Sequence, residues 1–446
     1  MIEKDRGEHM RIYDIIEKKT RHQELTREEL QFFIEGLCSG KLPDYQASAL
    51  IMAIFLNGMT AQETADLTAV MADSGEQMDL SAIEGIKVDK HSTGGIGDKT
   101  TLIIGPIIVA CGGKMAKMSG RGLGTSGGTI DKLESIPGFQ TALTREQFVH
   151  LVNTVGMAIT GQTANVAPAD KKIYALRDVT ATVASIPLIA SSVMSKKLAS
   201  GADKLVLDVK MGSGAFVRDL AGARELAETM VRIGELNGRE TVAVITNMNR
   251  PLGHCVGNLL EVQEAEETLR GAGPADLTEV CLCLAAQMLS LAEKGTYDAC
   301  YEKAAASLRD GSALRVFRTF LEAQGGTYDV IAHPEKYYAE PVRKTVAADR
   351  AGYLEIRSAE EIGKASVRLG AGRETKESQL DYTAGIVFHK TVGEAVQAGE
   401  ALYTLCAQDA DKIPDAVEAM QKGVAVVPQK PAEEPLIFAK ISKQDL

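Results

Sequence analysis

The sequence predicts an α/β protein with three parts. These are a small all-helical lobe, a larger α/β lobe on a central mixed sheet, and a C-terminal α+β domain with a barrel-sandwich-like part. Three observations carry this expectation. Residues 11–75 show helix start signals and no strand pattern. From about residue 85, short β-rich runs alternate with helical stretches, the pattern of an α/β layer. From about residue 341 the chain turns to short β-like runs separated by turns. A length of 446 residues allows such a division, since a domain takes roughly 100–200.

Each element follows in order. Thr26 with Glu29, and Thr60 with Glu63, have the spacing of a capping box, where a hydroxyl and a carboxylate satisfy free N–H groups reciprocally. Between them, residues 45–56 are rich in Ala, Ile, Leu and Met, which suits a buried helix. Turn signals at 40–43 and at Asn57-Gly58 divide three or four helices. Residues 86–89 form a strand that runs into a glycine loop. The apolar run 102–111 reads as a helix or buried segment, far short of the ~20 residues that span a bilayer. Residues 112–117 show no clear apolar strand. Further strands are expected at 205–209 and 241–246, with helices at 221–236 and 277–292. Residues 172–202 read as helical, so the chain revisits the first unit. The predicted parts are therefore a helical lobe (10–75 and 172–202), an α/β lobe (85–165 and 205–335) and a C-terminal domain (341–446). Within the last, β-like runs lie at 352–356, 384–389 and 401–404. Residues 393–402 have a hammerhead pattern with no Lys in the presented turn to carry a cofactor, so they read as structural.

Composition narrows the function. The formal net charge of −11 excludes a general nucleic-acid coat protein, which needs excess cations against phosphate. The seven cysteines include no CxxC pair, which speaks against a zinc cluster or a disulfide framework and for a reducing, cytosolic compartment. Residues 1–9 are polar, without the apolar core of a signal peptide, and Met10 is a candidate start. The acidic total hides structure, however. Residues 87–134 hold 11 of the 42 glycines and seven Lys or Arg against four Asp or Glu. Residues 170–210 again carry seven against four. Two local basic patches can draw in a small anion despite the overall charge.

The motifs in those patches suit that task. Asp89-Lys90-His91-Ser92-Thr93-Gly94-Gly95-Ile96-Gly97-Asp98 combines a strand, a glycine turn and a following helix, a ready anion site. Lys90 adds a cation and Ser92 a hydroxyl. A second glycine loop starts at Lys117-Met118-Ser119 and ends at Gly127-Gly128-Thr129, presenting the hydroxyls of Ser119 and Thr129. Gly122 to Gly127 matches GxGxxG by letter but lacks the βαβ setting that would make it a dinucleotide site. Arg177 offers a planar fork of donors. Ser192 and Lys196 lie four apart, on one helix face.

Taken together these stretches resemble the thymidine and pyrimidine-nucleoside phosphorylases. Residues 119–134 resemble the family signature. Lys90 to Gly95, Tyr174-Ala175-Leu176-Arg177-Asp178-Val179-Thr180 and Ser192 to Lys197 match in order and spacing. The resemblance implies a homodimer whose cleft closes between a helical and an α/β lobe. It implies reversible phosphorolysis of uridine, thymidine and deoxyuridine to free base and (2-deoxy)ribose 1-phosphate. Pyrimidine nucleoside and inorganic phosphate would be the small-molecule partners, with no organic cofactor, nucleic acid or membrane. By the same resemblance Lys90, Ser92, Thr101, Lys117, Ser119 and Thr129 hold phosphate. Arg177, Ser192 and Lys196 hold the pyrimidine, and His91, Arg177 and Lys196 act in catalysis. Lys117 in place of Met points to the broad enzymes rather than the strict thymidine phosphorylases. Thr125-Ser126 departs from the family's His-Thr. The broad class also implies a potassium ion near the hinge at Gly97, Leu252, Cys255 and Glu264, with Lys99 where the family has Thr. Three other readings are weighed against this one. An anthranilate phosphoribosyltransferase would need magnesium and more carboxylates. The others are a catalytically weak nucleoside-binding protein and a Rossmann oxidoreductase.

Overall fold

A computed structural model describes residues 10–446 apart from residues 123, 125, 126, 164, 376 and 377. Residues 1–9 and the Thr125-Ser126 departure thus lie outside the described residues. Four helices open the chain: α1 (Ile12–Thr20), α2 (Arg27–Ser39), α3 (Asp44–Asn57) and α4 (Ala61–Asp73). Both expected capping boxes are formed, at Thr26/Glu29 and Thr60/Glu63. Glu63 is buried because every demand of its carboxylate is met. It accepts from Lys19 Nζ at 2.7 Å, from the Leu25 N–H at 2.8 Å and from the Thr60 N–H at 2.7 Å. Leu30, Phe33, Leu50, Ile51 and Leu67 form a core that also takes in Ala169, Ile173 and Leu188. Those three come from later in the chain, so residues after 165 do return to the opening helices.

The central sheet contains β1 (Lys87–Ser92), β2 (Lys114–Ser119), β3 (Met157–Gly161), β4 (Lys204–Met211) and β5 (Glu240–Asn247). Their spatial order is β5-β4-β1-β2-β3, all parallel. The chain runs outward from β1 through β2 to β3, then returns to place β4 on the other side of β1. Between them lie α5 (Thr100–Ala110), α6 (Thr129–Glu134), α7 (Arg145–Val155), α8 (Pro168–Val179) and α9 (Ile186–Ala199). Then follow α10 (Leu220–Leu236), α11 (Asn258–Leu269) and α12 (Ala275–Leu291). The run 102–111 is helix, with Leu102, Ile103, Ile104, Ile107 and Ile108 fully buried. Residues 112–117 show no clear apolar strand in the sequence, yet Lys114–Ser119 form β2. Its two lysines masked it, yet Met115, Ala116 and Met118 are buried on the two faces of a central parallel strand.

The C-terminal part holds two small sheets. β6 (Cys255–Val256), β7 (Val342–Ala347), β9 (Gly385–Phe388) and β11 (Ala401–Ala407) form one, and β8 (Gly352–Ile356), β10 (Ala395–Val396) and β12 (Val424–Val427) the other. Two facts depart from a C-terminal domain over 341–446. β6 belongs by sequence to the α/β lobe but pairs with β9. β13 (Ile437–Ile441) leaves the small sheets and adds an antiparallel edge to β5, which makes the central sheet mixed. Among the described residues no helix is long and apolar enough to cross a membrane.

Candidate active site

In a parallel sheet, ligands bind beyond the carboxyl ends of the strands, where the strand order switches direction. Here that point is the end of β1, between β2 and β4. A cleft of about 1310 Å3 opens there. Its α/β wall is lined by His91, Ser92, Thr101, Lys117, Ser119 and Thr129, among others. Its opposite wall is the face of α9 that carries Ile189, Val193 and Lys196. The structure thus brings the two glycine loops together, as the hydroxyls at their ends required.

The first loop is braced against β4. The Thr93 N–H donates to the Asp208 carbonyl at 3.1 Å, and Thr93 Oγ1 accepts from the Lys210 N–H at 2.9 Å. The Gly94 N–H, at φ 95°, turns back to Ser92 Oγ at 3.3 Å. The second loop is braced through Asp131. That carboxylate accepts from the Gly122 N–H at 2.7 Å, Arg121 Nη1 at 3.2 Å and Arg373 Nη1 at 2.7 Å. Arg373 belongs to the C-terminal part and carried no role in the sequence reading. Gly128 is packed so closely that a Cβ there would collide with the Gly122 nitrogen, so the loop folds tightly on itself.

Behind the loops lies a buried ion cluster that joins the lobes. The Asp89 carboxylate accepts from Lys197 Nζ of α9 at 2.7 Å and from Lys117 Nζ of β2 at 3.3 Å. Lys197 also donates to the Met118 carbonyl at 3.0 Å, and Lys117 to the Lys90 carbonyl. All three side chains are buried. Burial opposes ionisation of Asp89, but the two ammonium groups outweigh it and hold its carboxyl below the usual range. With one carboxylate against two ammoniums, a positive charge remains. Burial, together with Lys197 and Lys90, pushes Lys117 down to about 7 despite Asp89. Burial and the lysines at 197, 117, 90 and 196 hold His91 well below the usual imidazole value, so it stands neutral near pH 7. Asp89 and Lys197 lie within the sequence motifs, yet no site role was expected of either.

Several expected site residues stand elsewhere. Lys90 Nζ does not face the cleft. It donates to Thr100 Oγ1 at 2.6 Å and pairs with Asp208 at 3.1 Å, inside the protein. Arg177 is buried, and its guanidinium donates to the carbonyls of Thr182 at 3.3 Å, Val183 at 2.6 Å and Leu188 at 3.0 Å. It braces the turn between α8 and α9 rather than lining the cleft. Ser192 is half-buried on the cleft side of α9 but is not among the lining residues. Lys196 does line it and pairs with Asp170 at 2.5 Å. Phe216, more than half exposed, lines the cleft without having been foreseen.

The potassium positions converge, but not around an ion. Lys99 Nζ sits among them and donates to the carbonyls of Leu252 and Cys255, both at 2.8 Å, and to Glu264 Oε2 at 2.5 Å. Gly97 O accepts from the Lys99 N–H at 3.0 Å. The side chain is fully buried. An ammonium already fills the donor set, so these residues do not fit a potassium ion. Among the described residues no group of three or more His, Cys, Asp or Glu could hold a metal, and all seven cysteines are free.

Comparison with known proteins agrees with this geometry. Residues 84–314 match the α/β domain of a glycosyl transferase family, and residues 13–75 its helical bundle domain. Residues 353–427 match the pyrimidine nucleoside phosphorylase C-terminal domain. A pyrimidine-nucleoside phosphorylase of Geobacillus stearothermophilus is 51% identical over 97% of this chain and 100% of its own. One of Bacillus subtilis (strain 168) is 54% identical over 89% of this chain and 92% of its own. Anthranilate phosphoribosyltransferase from Thermus thermophilus shares the fold at 18% identity with a TM-score of 0.56. That match covers 70% of this chain and 99% of the other. Fold and cleft define a glycosyl-transferring enzyme with a hydroxyl-rich wall facing a cationic helix. The chain belongs to the pyrimidine-nucleoside phosphorylase family.

Proposed function

We propose that the chain catalyses the reversible phosphorolysis of uridine, thymidine and deoxyuridine. The products are the free pyrimidine and ribose or 2-deoxyribose 1-phosphate. The observation that carries this reading is the hydroxyl set of Ser92, Thr101, Ser119 and Thr129 on one wall, with Lys196 on the wall opposite. Phosphate held by the hydroxyls and Lys117 attacks C1′ from the face away from the base. The new C1′–O bond forms as the C1′–N1 bond breaks, and the electron pair leaves with the pyrimidine. Lys196 stabilises the negative charge that gathers on the base, the kind of fixed charge that often contributes most to catalysis. Arg177 serves the pyrimidine side by holding the α8–α9 turn through three carbonyls, and Ser192, on the cleft side of α9, meets the base. His91, held neutral, serves as a hydrogen-bond partner of the base rather than as an imidazolium acid. Lys90 acts on phosphate through the strand end it braces.

Lys117 supports the broad substrate range. Exposed Tyr13, Tyr45 and Leu56 on the packed pair α1 and α3 support a homodimer through the helical lobe. Seven free cysteines fit a cytoplasmic setting. The deciding experiment incubates uridine, thymidine and deoxyuridine with and without phosphate. Free base is expected from all three and only with phosphate. Release without phosphate marks a hydrolase, and inert uridine marks the strict thymidine class.

The position of Lys117 predicts a pH effect. Its ammonium is half-deprotonated near pH 7, and a bound anion raises its proton affinity. Anion binding above pH 7 therefore takes up a proton, so affinity falls as pH rises and is flat below. Sulfate as a competitor keeps its own charge constant over this range. Its inhibition constant is expected to rise with pH in the native enzyme and to stay level in Lys117→Met.

A further inference from the structure

We infer that Lys99 is a built-in replacement for a monovalent cation, so that this enzyme folds and works without potassium. The inference rests on the family reading for the cation that is replaced and for the assay of turnover. An ammonium has three N–H donors. Those of Lys99 meet three oxygens, Leu252 O, Cys255 O and Glu264 Oε2, at 2.5–2.8 Å. These acceptors come from a loop and a helix far from Lys99 in sequence, and each is held for the purpose. Glu264 also accepts from the N–H groups of His254 at 2.7 Å and Cys255 at 3.1 Å, which turns the 252–255 loop around the ammonium. Gly97, at φ 72°, lets the first glycine loop touch the same carbonyls. A Cβ there would stand 2.8 Å from Leu252 O. Gly253 is similarly confined, its would-be Cβ 2.6 Å from Glu264 Oε2 and 3.2 Å from Lys99 Nζ.

The position would otherwise be a poor one for a cation. Lys99 is the N-cap of α5, where the helix dipole disfavours positive charge, and the side chain is fully buried. The carboxylate of Glu264, itself buried, neutralises it. The result is a tether that ties the loop after β1 to the 252–256 segment, and through β6 to the C-terminal sheet. Lys99 is not among the residues that line the cleft and is a positioning residue.

The test compares the native enzyme in potassium chloride and in choline chloride at a matched ionic strength of about 0.1 M. Its kcat/KM for uridine and its Tm are expected to agree in the two salts. After equilibration with rubidium chloride and removal of free salt, no stoichiometric rubidium is expected by elemental analysis. Lys99→Thr puts a small hydroxyl in place of the ammonium and opens the space. In choline it is expected to lose about tenfold or more in kcat/KM, and to regain most of it in potassium. Tm should follow the same pattern, a rescue that a merely structural lysine would not permit. One rubidium per native chain, or native activity or Tm that rises several-fold or by several degrees with potassium, overturns the inference. So does a Lys99→Thr variant indifferent to the salt. If that variant does not fold, the rubidium content and salt response of the native chain decide alone. Rubidium content and Tm need no substrate, so a failed assay of phosphorolysis leaves them readable.

Discussion

Lys196→Ala lowers kcat for uridine phosphorolysis by about 10²–10³-fold, the usual effect of removing one well-placed charged donor at a developing anion. Lys196 is a cation of α9 that lines the cleft, and its partner Asp170 is buried. The charge on the departing base is absent in the ground state and large in the transition state. The loss therefore belongs in kcat rather than in nucleoside KM. The KM for phosphate should move little, since phosphate is assigned to the opposite wall. Steady-state kinetics in both substrates checks this. A kcat within about twofold of the native value would remove Lys196 from the base site. The variant also strips Asp170 of its ion-pair partner, so a Tm measured alongside separates lost stability from lost chemistry.

Asp89→Asn is expected to destabilise the folded chain by about 3–5 kcal/mol, the cost of removing one partner from a buried charge cluster. Asp89 is the carboxylate between Lys117 and Lys197, and an amide leaves the two ammoniums facing each other. The loss should appear as a fall in the midpoint of urea or thermal unfolding. Activity should drop further than stability alone explains, because Lys197 reaches Asp89 from the helical lobe and so sets the position of α9. Lys117 would lose its proton more readily still, weakening the wall to which phosphate is assigned. A fall of less than about 1 kcal/mol would mean that the cluster is wet and screened, as exposed pairs are.

The sequence shows the local parts of this structure well and the long-range parts poorly. Thr26, Thr60 and the glycine-rich stretch 87–134 announce themselves because capping and tight turns depend on neighbours within a few residues. β2 was hidden by Lys114 and Lys117. A strand that reads as polar becomes central once Asp89, 28 positions earlier, neutralises one of those lysines. β13 and its pairing with β5 join residues that no local pattern connects. Arg177 carried the right chemistry for a base site, yet three carbonyls of the following turn already claim it. A guanidinium in a sequence does not say which oxygens will reach it first. The four positions around Lys99 were legible as one site through resemblance, but the occupant was decided by a single side chain that points inward.

The antiparallel edge strand has a consequence for how the molecule is made. β5 waits for β13, and Ile437 pairs with Thr246. Arg232 Nη2 of α10 likewise holds the Leu446 carbonyl at 3.2 Å. During synthesis the α/β lobe emerges first, with one flank of its sheet bare until residues 437–441 leave the ribosome. An uncovered strand edge invites pairing with another chain. Nascent or truncated forms ending before residue 437 should therefore depend on chaperones. Once made, β13 covers that flank.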